Sequence, residues 1–260
     1  MTEVWAAGAA YEAFMGRWAG RMASVFVPGL GVPAGGRWLD VGCGTGALTA
    51  AVLSLADPRE VTGIDPSAGF LAHARARVAG PRVTFCTGDA GALPYPGAWF
   101  DAVVSGLVLN FLPDPARAAA ELARVAAPGG VVAAYVWDYA DGMAMLRHFW
   151  DAAATLDPAA AALDEGARFP LCRPEPLRAL WAGAGLTGVR TEPIVVPMEF
   201  TGFDDFWTPF LGGQGPAPGY VASLPGDHRA ALRDLLRERL PASPFSLTAR
   251  AWAVYGRQGR

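Results

Sequence analysis

The sequence predicts an α/β fold on a parallel sheet, and three observations carry that prediction. Five short runs between residues 37 and 137 are almost continuously apolar, as strands covered on both faces are. Helical segments separate those runs. A glycine-rich turn, Gly42 to Gly46, directly follows the first run and opens a helix.

In chain order, residues 4–27 read as one amphipathic helix carrying Tyr11, Phe14, Met15 and Trp18. The runs are RWLDV (37–41), VTGID (61–65), VTFCT (83–87), FDAVVS (100–105) and VVAAYVW (131–137). A helix starts near Asp114, which can cap it, with Pro115 in the first turn and Ala118, Leu122 and Val125 on one face. Pro128-Gly129-Gly130 is expected to stop it. Beyond Trp137, residues 141–170 read as a helical excursion ending in loop, followed by a helix around Pro176–Ala184. VRTEPIVV (189–196) reads as a strand, GGQGPAPG (212–219) as a Gly/Pro-rich stretch that suggests a mobile lid, Asp227–Leu240 as a helix and FSLTARAWAVYG (245–256) as a returning strand. No linker or repeat divides residues 1–260, so a single domain is expected.

Composition narrows the function. The chain has 260 residues, 52% hydrophobic and 17% charged, with net charge −3. That length buries roughly 70–75% of the unfolded surface and needs no disulfide or metal staple. All 21 basic residues are arginine, which excludes any chemistry with an obligatory lysine. Cys43, Cys86 and Cys172 are scattered with no ligand spacing, so no disulfide framework and no metal are expected. The N-terminus lacks the features of a signal peptide, and the longest apolar run, Val131–Trp137, falls far short of the roughly 20 residues of a membrane helix. A cytoplasmic protein is expected, with no membrane partner. Scattered arginines give no basic stripe for nucleic acid.

LDVGCGTGALTA sets Gly42, Gly44 and Gly46 between strand and helix, where the backbone can approach a ligand closely and the new helix points its N–H groups at it. Asp65, at the end of the next strand, suits a ribose diol. Gly42-x-Gly44-x-x-Ala47 also satisfies the dinucleotide pattern, so this stretch alone leaves the ligand open.

The whole chain resembles the class I S-adenosylmethionine-dependent methyltransferases, in the small-molecule group similar to the ubiquinone-biosynthesis type. LDVGCGTG, VTGIDPS (61–67), GDAGALPYPGAWFD (88–101), SGLVLNFLPD (105–114) and ELARVAAPGGVV (121–132) look like its five strand motifs, in order. YEAFMGRW and TARAWAVYGR resemble the ends of one bacterial subgroup. The resemblance implies a Rossmann-like, doubly wound, mostly parallel seven-stranded sheet, with an N-terminal helical cap (1–30) and helical insertions after strands five and six (141–170 and 203–240). It implies transfer of a methyl group from S-adenosylmethionine to a small, apolar or aromatic molecule, leaving S-adenosylhomocysteine.

Residue by residue, the resemblance places Gly42, Gly44 and Gly46 against the methionine and ribose portions and Asp40 near the ammonium group. Asp65 would accept both ribose hydroxyls, Pro66 and Ser67 would line the adenosine, Asp89 and the Ala90 amide would hold the adenine, and Leu107 would sit near the sulfonium. Tyr11 and Arg17 either close the site, Arg17 forking the cofactor carboxylate, or are an ordinary core aromatic and a solvated arginine.

No catalytic base is assignable. Asn110, in the loop after the fourth strand, and His148, in the first insertion, are candidates for the acceptor wall, and Trp18, Tyr139 and Trp207 could furnish aromatic faces or ordinary core. The tetrapeptide of amino-directed DNA methyltransferases and the carboxylates of the magnesium-dependent type are both absent after the fourth strand, where the chain reads SGLVLN. Two other readings of the glycine loop stay open: a nicotinamide-dependent oxidoreductase, and a non-catalytic cofactor-binding protein. The acceptor atom and the oligomeric state also stay open.

Overall fold

The computed structural model describes residues 12–212, 215–241 and 243–259. Seven strands, β1 (Arg37–Val41), β2 (Glu60–Asp65), β3 (Val83–Thr87), β4 (Phe100–Gly106), β5 (Ala126–Trp137), β6 (Thr187–Phe200) and β7 (Phe245–Arg257), form one sheet in the order β3-β2-β1-β4-β5-β7-β6. β1 to β5 pair in parallel, and β7 runs antiparallel to both β5 and β6. β1 thus lies between β2 and β4, the point where the strand order reverses and a crevice opens at the strand ends.

Helices α1 (Arg17–Phe26) and α2 (Ala47–Leu55) pack together on one face of the sheet, and α3 (Ala68–Arg77) packs along β2 and β3. Trp18, Met22 and Phe26 recur every four residues along α1, all buried. Phe26 meets Tyr135 and Tyr255 at ring distances of 4.7 and 5.8 Å. Burial of side chains this size stabilises by about 1.5–3 kcal/mol each. α4 (Pro115–Val125) and α7 (Pro174–Gly183) pack together on the opposite face, where the Trp181 indole donates to the Val132 carbonyl at 3.0 Å.

The two insertions supply α5 (Ala144–Leu156), α6 (Glu165–Arg168), α8 (Phe203–Trp207), α9 (Pro216–Ser223) and α10 (Gly226–Arg239). Aromatic rings join them to the cap: Phe149 of α5 stacks on Phe210 at 4.6 Å, and Phe210 meets Phe14 edge-on at 5.5 Å. One hydrophobic cluster runs from these rings into the sheet.

Three expectations change. The N-terminal segment is not one helix: a π-type turn (Glu12–Gly16) leads into α1, and a 3-10 turn (Val27–Leu30) closes it, where Pro28 supplies no N–H and Gly31 turns left-handed at φ 60°. Asp114 caps α4 through the Arg117 amide at 2.9 Å, but α4 ends at Val125, before the Pro-Gly-Gly, because Ala126 already joins β5. β6 is longer than 189–196, since its pairing with β7 extends to Phe200–Phe245. The Gly/Pro-rich stretch 212–219 contains the start of α9, with Pro216 in its first turn, where a proline's missing N–H costs nothing.

Candidate active site

A cleft of about 510 Å³ lies over the ends of β1, β2 and β4, within the usual range for small-molecule sites. Its floor is Asp40, the fourth residue of β1, which has no solvent exposure. Thr49 of α2 donates to Oδ2 at 2.6 Å, while Oδ1 has no hydrogen-bond partner among the described residues. Burial pushes this carboxyl up to about 7; the Thr49 hydrogen bond opposes that, and the neighbouring Asp65 adds to it.

The glycine loop is held to the sheet by its own amides. The Gly42 and Cys43 N–H groups donate to the Ile64 carbonyl at 2.7 and 3.1 Å. Gly42 sits at φ 71°, and a Cβ there would meet Val108 at 2.5 Å, so neither the backbone angle nor the space admits a side chain. Gly44 (φ 52°) lines the cleft. Gly46 (φ 86°) lies behind it as the residue that enters α2.

Asp65, at the end of β2, ties two loops together. Its Oδ2 accepts from the Gly44 amide at 3.0 Å and its Oδ1 from the Ser67 amide at 2.8 Å. Burial raises its pKa, and these two amides hold it back. Each oxygen keeps a further acceptor position for a ligand hydroxyl. Ser67 also caps α3 by accepting from the Phe70 amide at 3.3 Å. Pro66, Ser67, Asp89 and Ala90 line one wall, and Asp89, exposed at the mouth, accepts from the Gly91 amide at 2.8 Å. Opposite them Leu107 adopts a left-handed φ of 64°, with its amide donating to the Tyr135 carbonyl at 2.8 Å. A bulky residue in that region is strained and is held by its surroundings.

A second, much smaller void of about 10 Å³ adjoins the cleft and shares Met15, Phe111 and Tyr139 with it. Phe14, Leu146, Glu165, Phe169 and Pro216 also line it.

Nine of the sequence-predicted cofactor residues therefore come together around one cleft. Arg17 does not join them: its guanidinium pairs with Asp205 at 2.7 Å and lies over the Trp18 ring at 4.2 Å, so the expected fork on a ligand carboxylate is corrected to a cap-to-α8 ion pair. Tyr11 lies outside the described residues. Of the acceptor-wall candidates, only Tyr139 reaches the voids. Trp18 packs on Phe200 at 5.5 Å, Trp207 on Phe210 at 6.1 Å, and His148 is half-buried on α5 away from both. Asn110 sits in the short 3-10 turn Leu109–Phe111, and it is Phe111 beside it that enters the cleft. Glu165 carried no sequence signal, because an acidic residue opening a helical turn ordinarily faces water.

Residues 39–134 match the family described as "Methyltransferase domain". Over this stretch the chain is similar to methyltransferase domains. The stretch holds most of β1, all of β2 to β4, most of β5 and nearly all the cleft residues named above. Over 95 residues the chain is 42% identical to 2-methyl-6-phytyl-1,4-hydroquinone methyltransferase 2, chloroplastic, of Oryza sativa subsp. japonica, covering 36% of this chain and 27% of that protein. Over 101 residues it is 37% identical to demethylmenaquinone methyltransferase of Roseiflexus castenholzii, covering 39% and 42%. The chain spans less than half the length of these curated relatives. The methyltransferase fold extends past the matched stretch: 97% of the chain superposes on 57% of Haemonchus contortus phosphoethanolamine N-methyltransferase 2, solved with phosphomonomethylethanolamine and S-adenosylhomocysteine, with a TM-score of 0.62 at 18% identity. At that identity the likeness is one of fold. No described helix is long and apolar enough to cross a membrane.

Proposed function

We propose that this chain transfers a methyl group from S-adenosylmethionine to a small aromatic acceptor of the quinol or phenol class, releasing S-adenosylhomocysteine. The observation that carries the reading is the unpartnered Oδ1 of Asp40, a buried carboxylate oxygen beside a glycine loop and a second carboxylate. A ligand with an ammonium group satisfies Oδ1, and one with a vicinal diol uses the acceptor positions left on Asp65. The same cleft admits an adenosine between Pro66, Asp89 and Ala90. The residues fit S-adenosylmethionine.

When bound, that cofactor supplies a methyl group on a cationic sulfur. The chain's own contribution is position. Leu107, whose amide donates to the Tyr135 carbonyl, lines the same cleft as the aromatic residues. Tyr135, Trp137, Tyr139 and Phe111 supply apolar faces there, which orient a flat acceptor and exclude water; orientation of this kind is worth about 7–11 kcal/mol of barrier. The names of the two relatives, which act on a hydroquinone and on demethylmenaquinone, support the quinol class. Three cysteines without disulfides accord with a reducing, cytoplasmic setting. Neither nucleic acid nor a metal enters this reading.

The test is incubation with S-adenosylmethionine and a panel of reduced naphthoquinones and substituted phenols, read by mass spectrometry. A product one methylene heavier is expected from at least one of them. Binding of S-adenosylhomocysteine with no methylated product from any member would favour a cofactor-binding protein without this activity.

A further inference from the structure

Glu165 is a carboxyl in an unusual place. It is 2% exposed and faces the small void among Phe14, Phe111, Tyr139 and Phe169, where it is the only carboxyl among the described residues. Several features hold it there. Asp164 caps α6 by accepting from the Gly166 amide at 2.8 Å, and Arg147 of α5 grips both Asp164 oxygens, one at 2.7 Å. Gly166 lets α6 lie against the end of the β5 segment: a Cβ there would come within 2.9 Å of the Ala140 Cα and 3.1 Å of the Tyr139 carbonyl. The Trp150 indole donates to Oε2 of Glu165. An apolar chamber is a costly home for a carboxyl, and this one shares Met15, Phe111 and Tyr139 with the cleft.

We infer that Glu165 is the proton acceptor for the hydroxyl of a phenolic methyl acceptor, the ring lying against Phe111 and Tyr139 and the hydroxyl turned toward the small void. The inference rests on the methyl-transfer reading above and deepens it. The void has room for about one oxygen atom, enough for direct contact or a single-water relay. In the step, the acceptor's O–H bond and the sulfur–carbon bond break and an oxygen–carbon bond forms. The sulfur keeps the electron pair, and the proton passes to the Glu165 carboxylate, to be lost to solvent after product leaves. Burial pushes Glu165 up to about 7, which suits a base working near neutrality; its own amide, the Trp150 indole and Arg147 oppose the rise, and Asp164 adds to it. Among the described residues, Arg168 of α6, whose guanidinium lies over the Phe169 ring at 5.5 Å, Asp151 on α5 and Tyr139 beside the void are further titratable groups nearby. Glu12 of the cap is engaged elsewhere, by Arg77 at 3.0 Å and by Thr45.

The test uses 4-nitrophenol as a spectroscopic probe with the protein loaded with S-adenosylhomocysteine. Ionised Glu165 hydrogen-bonds the neutral phenol and repels the phenolate, so in the wild type the bound probe should ionise about one pH unit or more above the free probe. In Glu165→Gln, which keeps an acceptor for Trp150, that upward shift should vanish. In Trp150→Phe, which keeps the carboxylate and loses the indole bond, it should persist. Methylation of a phenol that is a substrate should fall about 100-fold or more in Glu165→Gln with KM little changed, and lose its rise through neutral pH. Equal ionisation of the bound probe in wild type and Glu165→Gln, or loss of the shift in Trp150→Phe, would overturn the inference and leave Glu165 a mere anchor for Trp150. Absence of probe binding to the loaded wild type would overturn it as well. Failure of the wild type to bind S-adenosylhomocysteine at all would instead remove the methyl-transfer reading, so the two failures are distinguishable.

Discussion

The Thr49 hydroxyl donates to one oxygen of Asp40 at 2.6 Å, and the other oxygen of that carboxyl lies buried with no partner among the described residues. With Asp40 pushed up to about 7, a bound ammonium group would draw its proton off. Affinity for S-adenosylhomocysteine should therefore rise as pH climbs through about 7, with proton release on binding below that value. Calorimetry in two buffers of different ionisation enthalpy measures both. Asp40→Asn should abolish the proton release and weaken binding by about 10-fold or more; a pH-independent affinity in the wild type would remove Asp40 from the ligand.

Gly42 and Val108 define the tightest approach in the loop. Gly42→Ala should destabilise by about 1–3 kcal/mol, from the left-handed backbone and the 2.5 Å approach to Val108 together. Val108→Ala in the same chain should recover the steric part and leave the backbone part. Chemical denaturation of the two single variants and the double measures the coupling, and strict additivity would contradict it.

What the sequence could and could not reveal divides along physical lines. β1 to β5 are apolar on both faces and the glycine loop is a local backbone requirement, so Gly42, Gly44 and Asp65 are legible in the spacing, while Asp40 and Leu107 are legible through the resemblance. The acceptor side depends on packing between distant segments. Arg17 finds Asp205, 188 positions away, in place of the cleft. Trp18 and Trp207 were legible as aromatics, but which of nine tryptophans and thirteen phenylalanines faces a cavity is decided by helix rotation. Glu165 lies on a turn held by the Arg147–Asp164 pair and by the close approach at Gly166, contacts between distant segments that a local pattern does not show.

Stability should record the buried carboxyl. Glu165 has its folded pKa raised from about 4.5 to about 7. The folded state then holds a proton that the unfolded chain has lost, so this group's contribution is fully present below about 4.5 and is lost as pH rises through about 7. Glu165→Gln titrates nowhere in that window. It should gain on the wild type by roughly 3 kcal/mol between those two pH values, as read from denaturation midpoints at each pH; a constant difference would contradict the buried placement.

Arg17 offers the complementary control. Its pair with Asp205 and its stacking on Trp18 make Arg17→Ala a loss of about 1 kcal/mol in stability, read by thermal melting. S-adenosylhomocysteine affinity should stay within about twofold of wild type, since the side chain lies outside the cleft. A large loss of affinity would restore the carboxylate-fork role.

The most direct measurement is calorimetric titration of the folded chain with S-adenosylhomocysteine, run beside Asp65→Ala. One saturable site per chain is expected in the wild type, weakened about 10- to 100-fold when the carboxylate that holds Gly44 and Ser67, and that we propose binds the ribose, is removed. No heat of binding to wild-type protein that melts cooperatively, or equal affinity in the two proteins, would contradict it.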